Sequence, residues 1–284
     1  MLLLCPLGSA GQVLVTEHSV AGHPVVVVRN AGSSRQPVVF ALSGLGEMVR
    51  GPRASAHGWV EKYGLVQAME AVSRQQLNQE DFEGLITPEL MAGYRTRMRR
   101  SYAGLVVVCP ATPRRLTRAF RKHLTDDLIP WVEANLPVRV GPRFRAIDGI
   151  SLGGRHALRI GMERPELFRA IGTEQAAVRG LWTRFRRPLQ EETERFRHLQ
   201  INLLTSLQDG YRRPIQKLAQ QLGEIGLSVR LQITPGRHDK RFARGPGAID
   251  MLLFHDEALR TETAPTSSAH DEEGRAPPIL DPKD

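Results

Sequence analysis

Short, uninterrupted apolar runs alternate along this chain with longer segments of helical periodicity. The runs at residues 37–42 and 104–109 are typical of strands buried on both faces of a parallel sheet. Two further segments, 143–150 and 169–173, are also predicted to be strands. Further on, apolar strand patterns at 198–206 and 228–234 each precede a helical pattern. Strands that alternate with helices predict an α/β fold with a mostly parallel central sheet and helices on both faces. The predicted helices cover residues 117–136, 151–164, 214–225 and 243–259.

Three further segments complete the predicted organisation. Residues 12–17 and 24–29, joined by a Gly-containing turn, predict an antiparallel N-terminal hairpin at the edge of the sheet. Residues 47–103 are charged and helix-patterned, and this segment is too long for a simple crossover. We expect it to contain a crossover helix and a cap-like insertion, and a plain surface insertion is the open alternative. We therefore predict a single domain over residues 1–260. After residue 260, Thr, Ser, Pro and acidic residues replace aliphatic ones, which predicts a disordered tail over 261–284.

The net charge of +9 raises nucleic acid as a partner. Arginines are scattered through every predicted element rather than concentrated in one stripe, which favours an ordinary basic enzyme and makes nucleic-acid binding unlikely. The two cysteines, Cys5 and Cys109, imply no disulfide framework and fit a reducing compartment. Residues 1–5 are apolar but lack the features of a signal peptide, so we expect a cytoplasmic protein without a membrane span.

Candidate chemistry begins at Gly149-Ile150-Ser151-Leu152-Gly153-Gly154, where a predicted strand turns directly into a helix. In this context the pattern G-x-S-x-G is typical of a nucleophile elbow, which exposes a serine hydroxyl above the sheet. A Gly-rich turn can also serve packing or phosphate binding. The P-loop lysine and the dinucleotide-type acidic residue that phosphate binding requires are absent, which argues against phosphate binding. A packing role stays the alternative to Ser151 as a nucleophile.

A serine nucleophile needs a base and an acid that orients the base. Asp209 follows one predicted strand in the turn 206–210, and His238 follows the next in the loop 235–239. Because the carboxyl ends of parallel strands meet at one edge of a sheet, we expect both side chains to lie near Ser151.

Alternatives remain open for both residues. Asp209 can be a turn former or helix cap, with Asp239 or Asp250 as the orienting acid, and His238 can be an ordinary surface residue. Other histidines lie within or beside helical and cap segments, where packing or solvent exposure is the expected role: His57, His123, His156, His198 and His255.

Two backbone amides are candidates for binding a developing oxyanion. Leu152 N–H directly follows the nucleophile, and Leu45 N–H lies in the Gly-rich loop 43–46 after the first buried strand. The alternative for that loop is an ordinary strand–helix connection.

These residues resemble the putative-esterase family of α/β-hydrolases, which includes esterase D (S-formylglutathione hydrolase), enterochelin esterase, feruloyl esterases and mycolyltransferases. The resemblance covers about residues 37–259 and rests on the segments 42–45, 148–154 and 235–239. The order Ser, Asp, His is also that of α/β-hydrolases. The resemblance implies the α/β-hydrolase fold, a small-molecule ester or thioester substrate, and a Ser-His-Asp triad that works through an acyl-enzyme without cofactor or metal.

The sequence departs from this family after Ser43, which stands where many esterases have a histidine. The Cys and acidic residues that usually follow in the esterase D branch are absent, which argues against a glutathione thioester. Two alternatives to hydrolysis stay open: acyl transfer on the same triad, and non-catalytic binding on the same scaffold.

Overall fold

The structure, a computed structural model, describes residues 12–32 and 34–260 and contains one eight-stranded sheet. The strands are β1 (Val13–Val20), β2 (His23–Asn30), β3 (Val38–Leu42), β4 (Val106–Pro110), β5 (Arg145–Gly149), β6 (Ala170–Glu174), β7 (Gln200–Gln208) and β8 (Ser228–Arg237). Their order in the sheet is β1-β2-β4-β3-β5-β6-β7-β8, and the six strands β3 to β8 run parallel. The predicted α/β fold with a mostly parallel sheet is confirmed.

The predicted N-terminal hairpin lies at one edge of this sheet. β1 and β2 pair antiparallel around Ala21 and Gly22, whose positive φ values of 47° and 80° suit a two-residue hairpin turn. β2 then pairs antiparallel with β4, so that Val25 lies opposite Pro110. The hairpin therefore extends the parallel sheet as its antiparallel edge.

Helices cover both faces of the sheet. They are α1 (Leu45–Met48), α2 (Pro52–Glu61), α3 (Leu65–Ser73), α4 (Pro88–Arg97), α5 (Arg118–Lys122), α6 (Ile129–Asn135), α7 (Leu152–Glu163), α8 (Leu181–Glu191), α9 (Arg212–Glu224), α10 (Lys240–Phe242) and α11 (Ala248–Ala258). Short 3₁₀ helices lie at Glu80–Phe82, Pro142–Phe144, Pro165–Leu167 and Thr193–Phe196, and π-helical stretches lie at His123–Leu128 and Ala243–Gly247.

The core consists of two apolar clusters, one on each face. Alternate residues of β3 divide between them: Phe40 and Leu42 pack with α5 to α9, and Val39 and Ala41 pack with α2, α3, α4 and α11. A strand that is apolar on both faces, as β3 is, reads as a continuous apolar run. The uninterrupted patterns in the sequence therefore correspond to the centre of the sheet.

The segment 47–103 contributes helices to the second of these faces. Trp59 of α2, Met69 of α3 and Met91 of α4 are buried in the apolar cluster that includes α11. These residues therefore form part of the main core. The single domain over 1–260 and a cap within 47–103 stay predictions.

Helix α8 was not expected from the sequence. It is rich in arginine, contains Pro188, and buries only Leu181, Phe185 and Leu189, which recur every four residues.

Among the described residues no helix is long and apolar enough to cross a membrane. Cys109 is buried as a free thiol, whereas Cys5 and the predicted tail 261–284 lie outside the described residues.

Candidate active site

Ser151 occupies the sharp turn between β5 and α7 in a strained backbone conformation. Its φ of 56° and ψ of −112° are unfavourable for a residue that carries a side chain. Two hydrogen bonds hold this conformation: Ser151 N–H donates to the Glu174 carbonyl at 2.8 Å, and Ala177 N–H donates to the Ser151 carbonyl at 3.0 Å. The end of β6 and the segment after it therefore fix the backbone of the candidate nucleophile on both sides.

The glycines around Ser151 are required by close backbone approach. A Cβ atom at Gly149 would lie 2.4 Å from the Gly153 carbonyl carbon, and one at Gly153 would lie 2.3 Å from the carbonyl oxygens of Leu42 and Ser43. These contacts are too short for any side chain, so the elbow packs directly against the end of β3. The loop that carries Leu45 therefore begins beside the elbow.

His238 lies between the other two candidate residues. β8 ends at Arg237, and the next residue places its Nε2 atom 3.0 Å from Ser151 Oγ and its Nδ1 atom 3.0 Å from Asp209 Oδ1. The three side chains predicted from the sequence thus form one hydrogen-bonded chain at the carboxyl edge of the sheet. The side chain of His238 remains 34% exposed, so solvent reaches the imidazole.

Asp209 is held by two donors besides the imidazole. The Thr205 hydroxyl donates to Oδ2 at 2.7 Å, and Tyr211 N–H donates to Oδ1 at 3.0 Å. Burial, the strongest single influence, raises the pKa of Asp209, but the hydrogen bonds from His238, Tyr211 and Thr205 together outweigh it, and the net pKa lies below the ordinary value. Asp209 is therefore a carboxylate at neutral pH.

The other two candidate acids lie elsewhere. Asp239 caps α10 by accepting the Phe242 N–H at 3.1 Å. Asp250 is fully buried in α11 and forms ion pairs with Arg97 and Arg230, both at 2.7 Å. Burial raises the pKa of Asp250, but the two arginines outweigh it and hold this pKa well below the ordinary value. The acid that contacts His238 is Asp209.

The two candidate oxyanion donors are the first residues of helices. Leu152 begins α7 and Leu45 begins α1, and amides of a first helical turn have no acceptor within their own helix. The amide that precedes Leu45 already has a partner: Gly44 N–H donates to the Tyr63 hydroxyl at 3.1 Å. Tyr63 in turn donates to the buried carboxylate of Glu47.

Tyr63 is a residue of this region that the sequence did not reveal. It follows α2, 19 residues after Gly44, and no local pattern links the two residues. Burial, strengthened by Glu47, raises the pKa of Tyr63 beyond its usual range, so the hydroxyl keeps its proton. A protonated phenol can accept from Gly44 and donate to Glu47 at once, which fixes the orientation of the loop 43–46.

Removing the Tyr63 hydroxyl tests this interpretation. In Tyr63→Phe we expect kcat for the predicted ester hydrolysis to fall about tenfold with little change in KM, because the predicted oxyanion donor, Leu45 N–H, is held less firmly and contributes less to binding of the transition state. Tyr94→Phe is the matched control, since the Tyr94 hydroxyl is equally buried but bonds Asp250 away from the loop. Equal kcat values for both variants would contradict the role given to Tyr63.

Gln175 is a second residue that the sequence did not reveal. It follows β6 directly, is fully buried, and has a φ of 48°. Its side-chain amide donates to Ser206 Oγ at 2.7 Å and to the Arg237 carbonyl at 2.9 Å, while its backbone N–H donates to the Leu204 carbonyl at 2.7 Å. Gln175 thus ties the loop of His238 to the strand that precedes Asp209.

We expect Gln175→Met to lower kcat about tenfold, because a shift of the imidazole by a fraction of an ångström spoils its alignment with Ser151 Oγ. KM should stay close to the wild-type value, because the alignment of the imidazole with Ser151 Oγ matters for the transition state more than for substrate binding. Gln36→Met is the control, because Gln36 is buried just before β3, at the far end of that strand from the elbow. A loss of thermal stability without a fall in kcat would contradict a positioning role.

The segment 47–103 also contacts the loop that carries His238. Glu83 accepts hydrogen bonds from Arg241 through its carbonyl at 2.7 Å and from Arg244 through its carboxylate at 2.9 Å. A Cβ at Gly236 would lie 3.0 Å from Leu85. The segment 47–103 therefore contacts the chain on both sides of His238.

Over residues 12–32 and 34–260, no cluster of three or more His, Cys, Asp or Glu side chains is arranged to hold a metal ion.

Comparison with known proteins adds a family and a set of folds. A model of the family described as Putative esterase matches residues 23–207. A solved structure of a ferulic acid esterase is 13% identical with a TM-score of 0.63, and the match covers 88% of this chain and 98% of that chain. The S-formylglutathione hydrolase of Staphylococcus aureus is 11% identical with a TM-score of 0.57, and the match covers 89% of this chain and 99% of that chain. The enterobactin esterase of Shigella flexneri is 17% identical with a TM-score of 0.54, and the match covers 88% of this chain and 60% of that chain. Identities this low show a shared fold.

Proposed function

The chain belongs to the Putative esterase family and is a carboxylic ester hydrolase, and we propose that it cleaves its ester through an acyl-enzyme on Ser151. The observation that carries this proposal is the unbroken hydrogen-bonded chain from Ser151 Oγ through the His238 imidazole to Asp209. A serine hydroxyl is a weak nucleophile, and a neighbouring base that removes its proton activates it.

In the first half of the reaction, His238 Nε2 takes the proton of Ser151 Oγ as this oxygen attacks the ester carbonyl carbon. The tetrahedral intermediate collapses when His238 gives that proton to the leaving alcohol, and the bond between carbonyl carbon and alcohol oxygen breaks. Asp209 stays ionised, accepts the Nδ1–H bond and stabilises the imidazolium.

In the second half, water takes the place of the alcohol. His238 removes a proton from the water as it attacks the acyl carbon, and then returns the proton to Ser151 Oγ as the acid leaves. The exposed edge of His238 supports hydrolysis over transfer to another alcohol, because solvent reaches the base.

We assign the Leu45 and Leu152 amides to the oxyanion of both intermediates. Neither amide has a partner within its own helix. Leu152 N–H also lies at the positive end of the dipole of the 12-residue helix α7. Preorganised backbone donors of this kind supply a large part of transition-state stabilisation.

Rapid mixing with p-nitrophenyl acetate, followed by acid quench and peptide mass spectrometry, tests the acyl-enzyme. We expect a burst of nitrophenolate and an acetyl group on the peptide that contains Ser151. An acetyl group on a different residue would contradict the proposal. Product analysis with added alcohols measures how much of the acyl group is transferred, and we expect the free acid to predominate.

A further inference from the structure

A group of ionisable side chains that takes no part in the proposed reaction lies buried beneath the candidate nucleophile. Asp148 of β5, Glu174 of β6 and His255 of α11 are all inaccessible to solvent. Asp148 precedes Ser151 by three residues, and the backbone carbonyl of Glu174 accepts the Ser151 N–H at 2.8 Å. The group therefore lies on the two strands that hold the strained backbone of the nucleophile.

Backbone pairing between β5 and β6 is interrupted beside this group. Along these fully described strands, regular pairing ends at Ile147 and Ile171. It resumes only at an isolated bridge between Ile150 and Glu174. β5 and β3, by contrast, stay paired as far as Gly149. A link between the side chains of β5 and β6 therefore joins the two strands where their backbone pairing is broken.

The carboxyl group of Asp148 lies over Gly172, on the face of β6 from which Glu174 also projects. A Cβ atom at Gly172 would overlap Asp148 Oδ2 and would lie 2.6 Å from His255 Nε2. Because alternate residues of a strand share a face, the side chains of Asp148 and Glu174 are neighbours. Their carboxyl groups are hydrogen-bonded to each other. Only glycine at position 172 leaves room for this contact.

The hydrogen bond between these two carboxyl groups requires a proton. His255 Nε2 lies 2.5 Å from Asp148 Oδ2. Apart from the contact with each other, no N–H or O–H group of the described residues donates to Asp148 Oδ1 or to either carboxyl oxygen of Glu174. Ionised carboxylates are acceptors only, so two carboxyl groups bond each other only when one of them is protonated. Asp148 and Glu174 therefore share one proton.

The surroundings of the two carboxyl groups differ, and they favour the proton on Glu174. Asp148 has the imidazole as a partner, which favours its ionised form. The arginines on this face of the sheet, Arg97 and Arg230, form ion pairs with Asp250 instead. Burial, together with the charge and the hydrogen bond of Asp148, raises the pKa of Glu174 well above the ordinary value, and the charge of Asp250 adds to this.

We propose that Glu174 is a positioning residue, a neutral carboxylic acid whose O–H donates to Asp148 Oδ1 and so links β6 to β5 at the turn that carries Ser151. Asp148 bonds Glu174 through one oxygen and His255 through the other, which ties β6, β5 and α11 together beneath the elbow. This link holds the backbone from which Ser151 Oγ reaches His238. Its effect on turnover rests on the proposed function, whereas the proton can be observed without any substrate.

Infrared spectroscopy of the protein without substrate tests the location of the proton. A protonated carboxylic acid has a C=O stretching band that is separate from the bands of ionised carboxylates. At neutral pH we expect such a band in the wild type, shifted by ¹³C-labelled glutamate and lost in Glu174→Gln. Asp209→Asn, which replaces an ionised carboxylate, should keep the band. No band that Glu174→Gln removes, or one that shifts with ¹³C-labelled aspartate instead, would overturn the proposal.

Ester hydrolysis by two variants tests the positioning role. Glu174→Met leaves Asp148 Oδ1 without a donor, and we expect kcat to fall about tenfold with little change in KM, because a displaced Ser151 affects the transition state more than substrate binding. In Glu174→Gln the side-chain amide donates in place of the hydroxyl, so kcat should return to within about threefold of the wild type. A purely structural role predicts lower thermal stability without this difference in kcat.

Asp256→Asn is the matched control, since Asp256 is also a buried acid but bonds Ala103 N–H and Arg260, ahead of β4 and away from the elbow. Its kcat should equal that of the wild type. Equal kcat values for Glu174→Gln and Glu174→Met would rule out the positioning role, and the infrared bands decide the proposal if Glu174→Met does not fold. A wild-type protein without ester hydrolysis would instead remove the proposed function, and the infrared bands would still locate the proton.

Discussion

Ser151→Ala is expected to lower kcat for p-nitrophenyl ester hydrolysis by about 10⁴-fold or more, because no other group can form the covalent intermediate and only transition-state binding by the backbone amides remains. The measurement is steady-state hydrolysis of the acetate ester with wild-type and variant protein. Thermal unfolding should show an intact fold, since the variant keeps the backbone bonds of residue 151 to Glu174 and Ala177.

Ser101→Ala is the control for this variant. Ser101 is an exposed serine in the segment before β4, bonded to Gln75 rather than to the candidate site. Its activity should equal that of the wild type. Turnover in Ser151→Ala within tenfold of the wild type would remove this residue from the mechanism.

Asp209→Asn is expected to lower kcat by about 10³- to 10⁴-fold while the fold is retained. An amide at this position can donate to His238 Nδ1, which favours the tautomer that carries its proton on Nε2. That tautomer points a proton at Ser151 Oγ, so the imidazole cannot act as the base. Steady-state kinetics measures the loss of kcat. The measurements cover about pH 5 to 9, a range that includes the usual titration of histidine.

Asp239→Asn provides the matched comparison, since this acid is adjacent to His238 in sequence but caps α10. We expect its kcat to stay within a few-fold of the wild type, and its main effect to be a small loss of stability at the helix cap. If Asp239→Asn lost activity and Asp209→Asn kept it, the assignment of the orienting acid would be reversed.

The central sheet and the elbow could be predicted from the sequence because local patterns specify them. Uninterrupted apolar runs mark strands buried on both faces, and glycines around Ser151 mark a turn with no room for side chains. Helix α8 escaped prediction because three buried residues in an arginine-rich segment give a weak apolar pattern.

The connections between the candidate residues depend on distances that no local pattern records. Asp209, Asp239 and Asp250 all follow or lie near late strands, and only the three-dimensional structure separates the one that contacts His238 from the cap and the arginine-paired core residue. Tyr63 and Gln175 act through hydrogen bonds to loops 19 and 62 residues away in the chain. Their roles arise from packing at the sheet edge.

Labelling with a fluorophosphonate probe, followed by peptide mapping, tests the central claim most directly, because the probe reacts only with an activated serine. We expect one labelled residue, Ser151, in the wild-type protein, and labelling slowed by orders of magnitude in His238→Ala because Oγ loses its base. Absence of labelling, or equal labelling rates with and without the imidazole at 238, would contradict the account.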